Sequence, residues 1–368
     1  MQNKFLNVFY DKRKVGRIAQ TPENLLAFEY DTEWLRDGFS ISPFKLPLEK
    51  RVFIASRDPF DGNFGVFNDS LPDGWGRLLI DRLLLKKHIE PSTVSTLDRL
   101  AIVGSSGMGA LEYKPEEHLV DDVKKYDLDT LANEAQAILN EKYDGRKLED
   151  LVKLGGSSGG ARPKVLINVN GEDWIVKFRA SIDSKNIGKI EYDYMTAAKA
   201  AGLIVPQIKL FEDKYFGVKR FDRKKDGSKI FMISASGLLD ASHRFPTLDY
   251  NSLMTLTLEL TRDFREVEKM FRLMCFNVFS QNRDDHSKNF SFLYDDTKKW
   301  QVSPVYDLVY NEGMNGEHAT AINGEGRSPT EEHIFAIAKK AGLDLRKTRN
   351  IIDEVKSAVK QLQVFNKK

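Results

Sequence analysis

The sequence has a single cysteine, Cys275, among its 368 residues. One cysteine excludes an internal disulfide framework and a cysteine-rich zinc site. It sits in the run from Met270 to Phe279, whose apolar spacing predicts a buried helix. There the thiol reads as a small hydrophobe rather than a nucleophile. No apolar run approaches the ~20 residues needed to span a bilayer. The stretch from Met1 to Tyr10 lacks both a sustained apolar core and a small-residue cleavage site, so no signal peptide is expected and a cytoplasmic location is. Neither sign of charge is in excess. Lys and Arg number 56 against 54 Asp and Glu, a net charge of +2. The total charge therefore argues for neither nucleic acid nor membrane as a partner. Internal repeats and long low-complexity tracts are also missing.

What is present describes a globular protein. Hydrophobic residues make up 41% and charged residues 30%, enough apolar material for a core. The length suggests two or three domains. Phe5 to Tyr10 and Lys14 to Ala19 flank Asp11-Lys12-Arg13 and predict a hairpin, with Leu25 to Tyr30 as a third strand. Leu71-Pro72-Asp73-Gly74-Trp75 reads as a turn before an amphipathic helix from Gly76 to Leu85. Thr96 to Val103 predicts a short helix closed by the glycines at 104, 107 and 109. A polar stretch from Lys114 to Lys125 is a candidate boundary, and Asp129 to Tyr143 is helical in pattern.

A glycine- and serine-rich segment, Lys153 to Lys164, then leads into Val165 to Val169. Asn170-Gly171 is a two-residue hairpin turn, and Asp173 to Phe178 returns as the second strand. Ile190 to Gly202 predicts a helix ending at glycine, and Ile204 to Phe211 and Tyr215 to Val218 predict strands. From Asn251 onward the pattern is mostly helical. Ser328-Pro329-Thr330-Glu331 opens a late helix with a capping-box pattern.

The chemistry-bearing stretch is Asn282-Arg283-Asp284-Asp285-His286-Ser287-Lys288-Asn289, with Tyr306-Asp307-Leu308 downstream. Asp284, Asn289 and Asp307 stand in the order in which protein kinases present a catalytic base and two metal ligands. Between them, Phe290 to Tyr294 and Trp300 to Ser303 alternate around Asp295 to Lys299. That predicts a hairpin returning Asn289 and Asp307 to one edge, within reach of one Mg²⁺, an ion that takes oxygen ligands. The competing reading is an ordinary polar surface turn. Upstream, the loop from Ser157 to Lys164 is small enough for backbone N–H groups to approach phosphate oxygens, although many such tracts are linkers. Lys177 lies on the following strand, where it can reach nucleotide phosphates, with Glu191 on the next helix as its partner; its alternative is a solvated edge lysine. Gly217 to Arg223 closes this part of the chain, where backbone groups can face an adenine; Phe221 reads equally well as ordinary core.

These passages together resemble the HipA-like serine/threonine kinases of bacterial toxin–antitoxin modules. The resemblance rests on Val15-Gly16-Arg17, Leu71-Pro72-Asp73-Gly74, Val103-Gly104, Gly109-Ala110-Leu111, Gly160-Ala161-x-x-Lys164, Lys177, Arg220-Phe221-Asp222-Arg223, Asp284-x-His286-x-Lys288-Asn289 and Tyr306-Asp307. It covers nearly the whole chain. It implies an α+β fold: an N-terminal mixed α/β accessory domain over residues 1–145, then a two-lobed kinase-like domain. The antiparallel-sheet small lobe would span 146–222 and the helical large lobe 223–368. It implies Asp284 as catalytic base, Asn289 and Asp307 on Mg²⁺, and ATP held by Gly159, Gly160, Ala161, Arg162, Pro163, Lys164, Lys177, the Lys219–Phe221 hinge, His286 and Lys288. Ser157 aligns with the serine that family members autophosphorylate, which ejects the loop; Ser158 is the alternative. The implied partners are a helix-turn-helix, HipB-like antitoxin, operator DNA through it, and a protein substrate, with aminoacyl-tRNA synthetases among the family's targets. No membrane partner is expected.

The chain departs from the family pattern at Arg162-Pro163, at the second hydroxyl of Ser158, and at Asp285, where glycine is frequent. Two other readings stand beside the kinase. One is a nucleotide-binding regulatory or pseudokinase module acting through a DNA-binding partner. The other is a metal-dependent phosphohydrolase using Asp284, Asp285 and His286.

Overall fold

The computed structural model describes residues 3–120, 127–142, 145 and 147–362. The chain forms two compact units. One runs through Lys189 and takes in Lys209–Phe231; the other comprises Ile190–Ile208 and the chain from Met232 onward. The fold is α+β with antiparallel sheets, as the sequence predicts.

In the first unit, a five-stranded sheet has the order Val52–Ile54, Leu26–Tyr30, Arg13–Gln20, Phe5–Tyr10, Glu112–Lys114. Its antiparallel strands alternate inward and outward residues, so Leu6, Val8 and Phe28 are fully buried. A four-stranded sheet follows, in the order Lys164–Val169, Glu172–Lys177, Tyr215–Lys219, Ile208–Phe211. Asn170 and Gly171 both take positive φ (54° and 83°), as a type I′ hairpin requires. Three helices cover this sheet. Trp75, Leu79 and Leu83 of Gly74–Lys86, Leu131, Ala135 and Ile138 of Leu128–Leu139, and Leu148 and Leu151 of Leu148–Gly155 share one core with Val165, Trp174, Val176 and Phe178.

In the second unit, the helix Phe264–Ser280 is the central element, and Met270, Phe271, Met274, Cys275 and Phe276 on it are wholly buried. Burial also pushes the Cys275 thiol far above its ordinary pKa, so it stays protonated. Around that helix lie Tyr250–Thr261, Glu331–Lys340 and Leu345–Val359. The hairpin of Ser291–Tyr294 and Trp300–Val302 forms where the alternation predicts it, with Phe292 opposite Val302. The buried Glu266 accepts from Val302 N at 2.8 Å and so fastens the hairpin to the central helix. Among the described residues no helix is long and apolar enough to cross a membrane.

Several local expectations need correction. Residues 153–155 end a helix rather than begin a loop, because Leu151 and Val152 are anchored in the core. The strand expected from Ile204 is confined to Ile208–Phe211; Pro206 has no N–H to give a ladder. The helix expected to reach Tyr143 stops at Leu139, and Tyr143 lies outside the described residues, as does the end of the Lys114–Lys125 boundary stretch. The late helix is capped by Thr330, whose N–H donates to His333 Nδ1 at 3.1 Å, so Pro329 precedes the cap.

Candidate active site

The sequence-predicted residues fall into two sets, one in each compact unit. Gly159 to Lys164, Lys177 and Lys219 to Phe221 belong to the first; Glu191, Asp284 to Asn289 and Asp307 belong to the second. Each set is held by its own contacts.

In the first unit, the loop leaves the helix Leu148–Gly155 and enters the strand at Lys164. Gly160 takes φ +81°, and Lys164 Nζ folds back to donate to Gly159 O at 2.5 Å. Lys164 and Lys177 are register partners on adjacent antiparallel strands. Lys177 Nζ also stands 5.8 Å above the Phe216 ring. Arg162 clasps Asp183 with Nε and Nη2 at 3.0–3.1 Å, and Pro163 O accepts from Phe178 N at 2.8 Å. Ser158 is almost wholly buried and its hydroxyl donates to Gly155 O at 2.6 Å; Ser157 is 8% exposed.

At the expected hinge, Lys219 pairs with Glu172, and Arg220 N donates to Asp173 O at 2.8 Å. The Arg220 side chain is turned into the protein, forking onto Asp222 at 2.7 and 2.8 Å. Arg223 Nη1 joins the same carboxylate at 2.9 Å, and Gly109 N donates to it at 3.1 Å. Arg223 also donates to the carbonyls of Gly107 and Gly109. Burial alone would raise the Asp222 pKa, but the charge and hydrogen bonds of Arg220, with Arg223 beside them, outweigh it and hold the carboxyl below its usual range. Burial lowers Arg223 to about 10. So the Arg220–Arg223 motif ties the Gly107–Gly109 segment to the end of the sheet, and the Arg220 side chain has a structural task.

In the second unit, the loop from Asn282 to Asn289 is pinned at both ends. Asn289 Nδ2 donates to Asp284 O at 2.7 Å, and Asn289 N donates to His286 O at 2.8 Å. The donor half of the Asn289 amide is thereby used, and the other half is an oxygen. Tyr306 OH donates to Lys288 O at 2.6 Å and meets Ser291 Oγ at 2.5 Å. These bonds tie the residue before Asp307 to the residue before Asn289. Asp307 itself takes φ 56°, a left-handed conformation that aspartate tolerates better than most residues. His286 Nδ1 is buried and makes no hydrogen bond among the described residues, and its ring stands 5.7 Å from that of His243. Among the described residues no group of three or more His, Cys, Asp or Glu could hold a metal. A cation here would draw on the Asn289 oxygen and the Asp307 carboxylate, with further oxygens from outside the chain. Glu191 is buried on the helix Ile187–Ala200.

Asp285 is the residue whose role the sequence did not disclose. It is fully buried, accepts from Tyr250 OH at 2.8 Å and Thr320 N at 3.2 Å, and lies 3.0 Å from His318 Nδ1. Its own carbonyl accepts from Thr320 Oγ1 at 2.5 Å. A carboxylate so enclosed has no face left for substrate or metal, which removes it from the phosphohydrolase reading. Tyr250 also takes a hydrogen bond from Asn277 Nδ2 at 3.0 Å; burial, then the Asp285 charge, raise its pKa well above the ordinary value. No sequence signal points to this set, since Tyr250 and Thr320 each lie 35 residues from Asp285.

Residues 156–362 match the family model for the HipA-like C-terminal domain, and residues 6–114 that for the HipA N-terminal domain. Among curated proteins, the chain is 26% identical to "Putative kinase Y4mE" of Sinorhizobium fredii, over 98% of this chain and 92% of that protein. It is 24% identical to "Putative kinase Y4dM" of the same organism, over 89% and 86%. Among solved structures, it resembles a chain of the Shewanella oneidensis MR-1 toxin–antitoxin complex of HipA, HipB and operator DNA. The TM-score is 0.71 at 20% identity, covering 97% of this chain and 89% of that one. At that identity the likeness is one of fold: an N-terminal domain followed by a kinase-like domain.

Proposed function

Because the chain belongs to the HipA-like family, we propose that it is an ATP- and Mg²⁺-dependent protein serine/threonine kinase, the toxin of a toxin–antitoxin pair. The observation that carries this reading is the closure of the 284–307 region. Asn289 is bonded to the Asp284 carbonyl, and Tyr306 is bonded to the Lys288 carbonyl. These two bonds hold Asn289 to Asp284 and the residue before Asp307 to the residue before Asn289, which supports reading the three as base and metal ligands. The names of the two Sinorhizobium relatives support the same reading.

Bound Mg²⁺–ATP would supply the transferable phosphoryl group and neutralise the charge that develops on it. The chain's residues do the rest. Asp284 accepts the proton of the substrate hydroxyl and aims its oxygen at the phosphoryl group. The Asn289 oxygen and the Asp307 carboxylate hold the cation; both are hard oxygen donors, as Mg²⁺ requires. Lys164 and Lys177 neutralise phosphate charge, and their cross-strand pairing supports this role. The backbone of 159–164 cradles phosphate oxygens, Lys219 to Phe221 face the adenine through main-chain groups, and His286 and Lys288 line the phosphate side. Self-phosphorylation at Ser157 would expel the loop and silence the enzyme.

By the same reading, the partners are a HipB-like DNA-binding antitoxin, operator DNA through it, and a cellular protein substrate of the aminoacyl-tRNA synthetase kind. The Shewanella complex supports an antitoxin and DNA partner. The test is phosphate transfer from ATP by purified protein, with phosphoserine mapped by mass spectrometry. Asp284→Asn should lower the rate by ~10²–10⁴ at unchanged fold, the usual worth of a positioned base. Near-normal transfer by this variant refutes the assignment of Asp284. Absence of transfer with tight ATP binding by the wild type would favour the regulatory, pseudokinase reading.

A further inference from the structure

We propose that Asp73 is a positioning residue for the Gly-rich loop, and that the Asp73–Gly76 turn holds that loop in its nucleotide-receptive shape. The nucleotide part of this inference rests on the reading of the loop as a phosphate cradle; the holding role does not. The turn is distant in sequence, 87 residues from Gly160 in the case of Asp73. It nevertheless meets the loop along its length.

Gly160 is gripped on both sides of its peptide. Its N–H donates to Asp73 Oδ1, and its carbonyl accepts from Trp75 N at 2.9 Å. The Trp75 indole N–H donates to Lys164 O at 3.0 Å, fixing the end of the loop where the strand begins. Between these points the two backbones are in close approach. A Cβ on Gly76 would stand 2.4 Å from Ser158 O and 2.8 Å from Gly156 O; one on Gly74 would stand 2.6 Å from Gly160 O. Side chains at 74 and 76 would therefore push the loop away, whatever their chemistry. Trp75 is itself locked in the core shared with Val165 and Val176, so the grip has a rigid base.

Asp73 brings a charged side chain to this grip, and its carboxylate is bonded to an amide of a loop whose amides would serve phosphate. A charge-assisted bond of this kind fixes the orientation of the peptide plane. Losing it frees the Gly159–Gly160 peptide to turn, which would scatter the amides that an incoming phosphate needs together. An asparagine side chain offers the same acceptor oxygen without the charge. Retention of the bond and loss of the negative charge are thus separable by mutation.

The experiment is hydrogen exchange of the 156–163 amides, read by mass spectrometry on full-length Asp73→Ala and Asp73→Asn beside the wild type, with nucleotide affinity measured calorimetrically using Mg²⁺ and a non-hydrolysable ATP analogue. Asp73→Ala should speed exchange in this segment by about tenfold, the usual consequence of losing a hydrogen bond to a charged group. Exchange in the five-stranded sheet should be unchanged, and nucleotide affinity should fall. Asp73→Asn should restore slow exchange and bind the analogue at least as well as wild type. Unchanged loop exchange in Asp73→Ala overturns the proposal. So does equal loosening in both variants, which would make charge rather than position the cause. Should the wild type bind no analogue, the kinase reading fails, while the exchange comparison still upholds or overturns the holding role of Asp73.

Discussion

Lys164 and Lys177 stand directly opposite one another on neighbouring antiparallel strands, at the mouth of the Gly-rich loop. Like charges at such a cross-strand pair repel by an amount comparable to a favourable pair, roughly 0.2–1 kcal/mol, and Lys164 Nζ turns to Gly159 O. A phosphate between them converts that repulsion into attraction. Lys177→Met should therefore cost the ligand-free protein little in thermal stability while removing most of the upward Tm shift that Mg²⁺–ATP gives the wild type. For a wild type at a hundredfold excess over Kd, that shift corresponds to about 2.7 kcal/mol. A full shift in the methionine variant would take Lys177 out of the phosphate site.

The second expectation concerns the cation. Asn289→Ala and Asp307→Ala each delete an oxygen ligand from an ion with few protein ligands. Both should weaken Mg²⁺–ATP binding while leaving the Mg²⁺-independent affinity for nucleotide nearly unchanged, as titrations with and without EDTA would reveal. Asn289→Ala also deletes the bond to Asp284 O. It should therefore lower the turnover rate more than Asp307→Ala does at saturating Mg²⁺. Unaltered affinity in both variants would move the metal site elsewhere.

The third concerns the two loop serines. Ser158 has its hydroxyl committed to Gly155 O and is 1% exposed, whereas among the described residues no such bond is seen for Ser157 at 8% exposure. Self-phosphorylation should therefore fall on Ser157. The added charge of roughly −1.5 to −2 has no room in a nearly closed position, so the loop must leave its seat. Protein incubated with ATP should gain one phosphate on Ser157 by intact mass and peptide mapping, and then bind ATP poorly. Asp284→Asn should gain none. Equal phosphate on that variant would assign the modification to another kinase.

The fourth tests the buried set around Asp285. Replacing it by alanine leaves Tyr250 OH, His318 Nδ1 and Thr320 N without their acceptor. Each buried donor left without an acceptor costs about 1–3 kcal/mol. Urea titration of Asp285→Ala should show a loss of that order. Asp285→Asn, which keeps an acceptor oxygen, should lose clearly less. A loss below ~1 kcal/mol in the alanine variant, within the range of an ordinary surface change, would mean that the set contributes little to holding the 282–289 loop.

Much of this protein was legible in its sequence, because local rules wrote it. Asn170-Gly171 demands positive φ at two successive residues, so the hairpin around it is fixed by chain chemistry alone. Alternation in Phe290–Tyr294 and Trp300–Ser303 determined the second hairpin. The run from Met270 to Phe279 determined a buried helix. Tertiary structure decided what depends on residues far apart in the chain. It turned Arg220 inward onto Asp222, closed Asp285 in with Tyr250, His318 and Thr320, and laid the Asp73–Gly76 turn along the loop. Each of these is a buried or closely packed polar contact whose partner lies outside the local pattern in all but the first case. Even there, the partner two residues away reveals nothing about burial. Periodicity reports which face of an element is apolar; it carries no record of which distant donor will meet a buried carboxylate. That choice is made only when the elements pack and every enclosed polar group must find a partner.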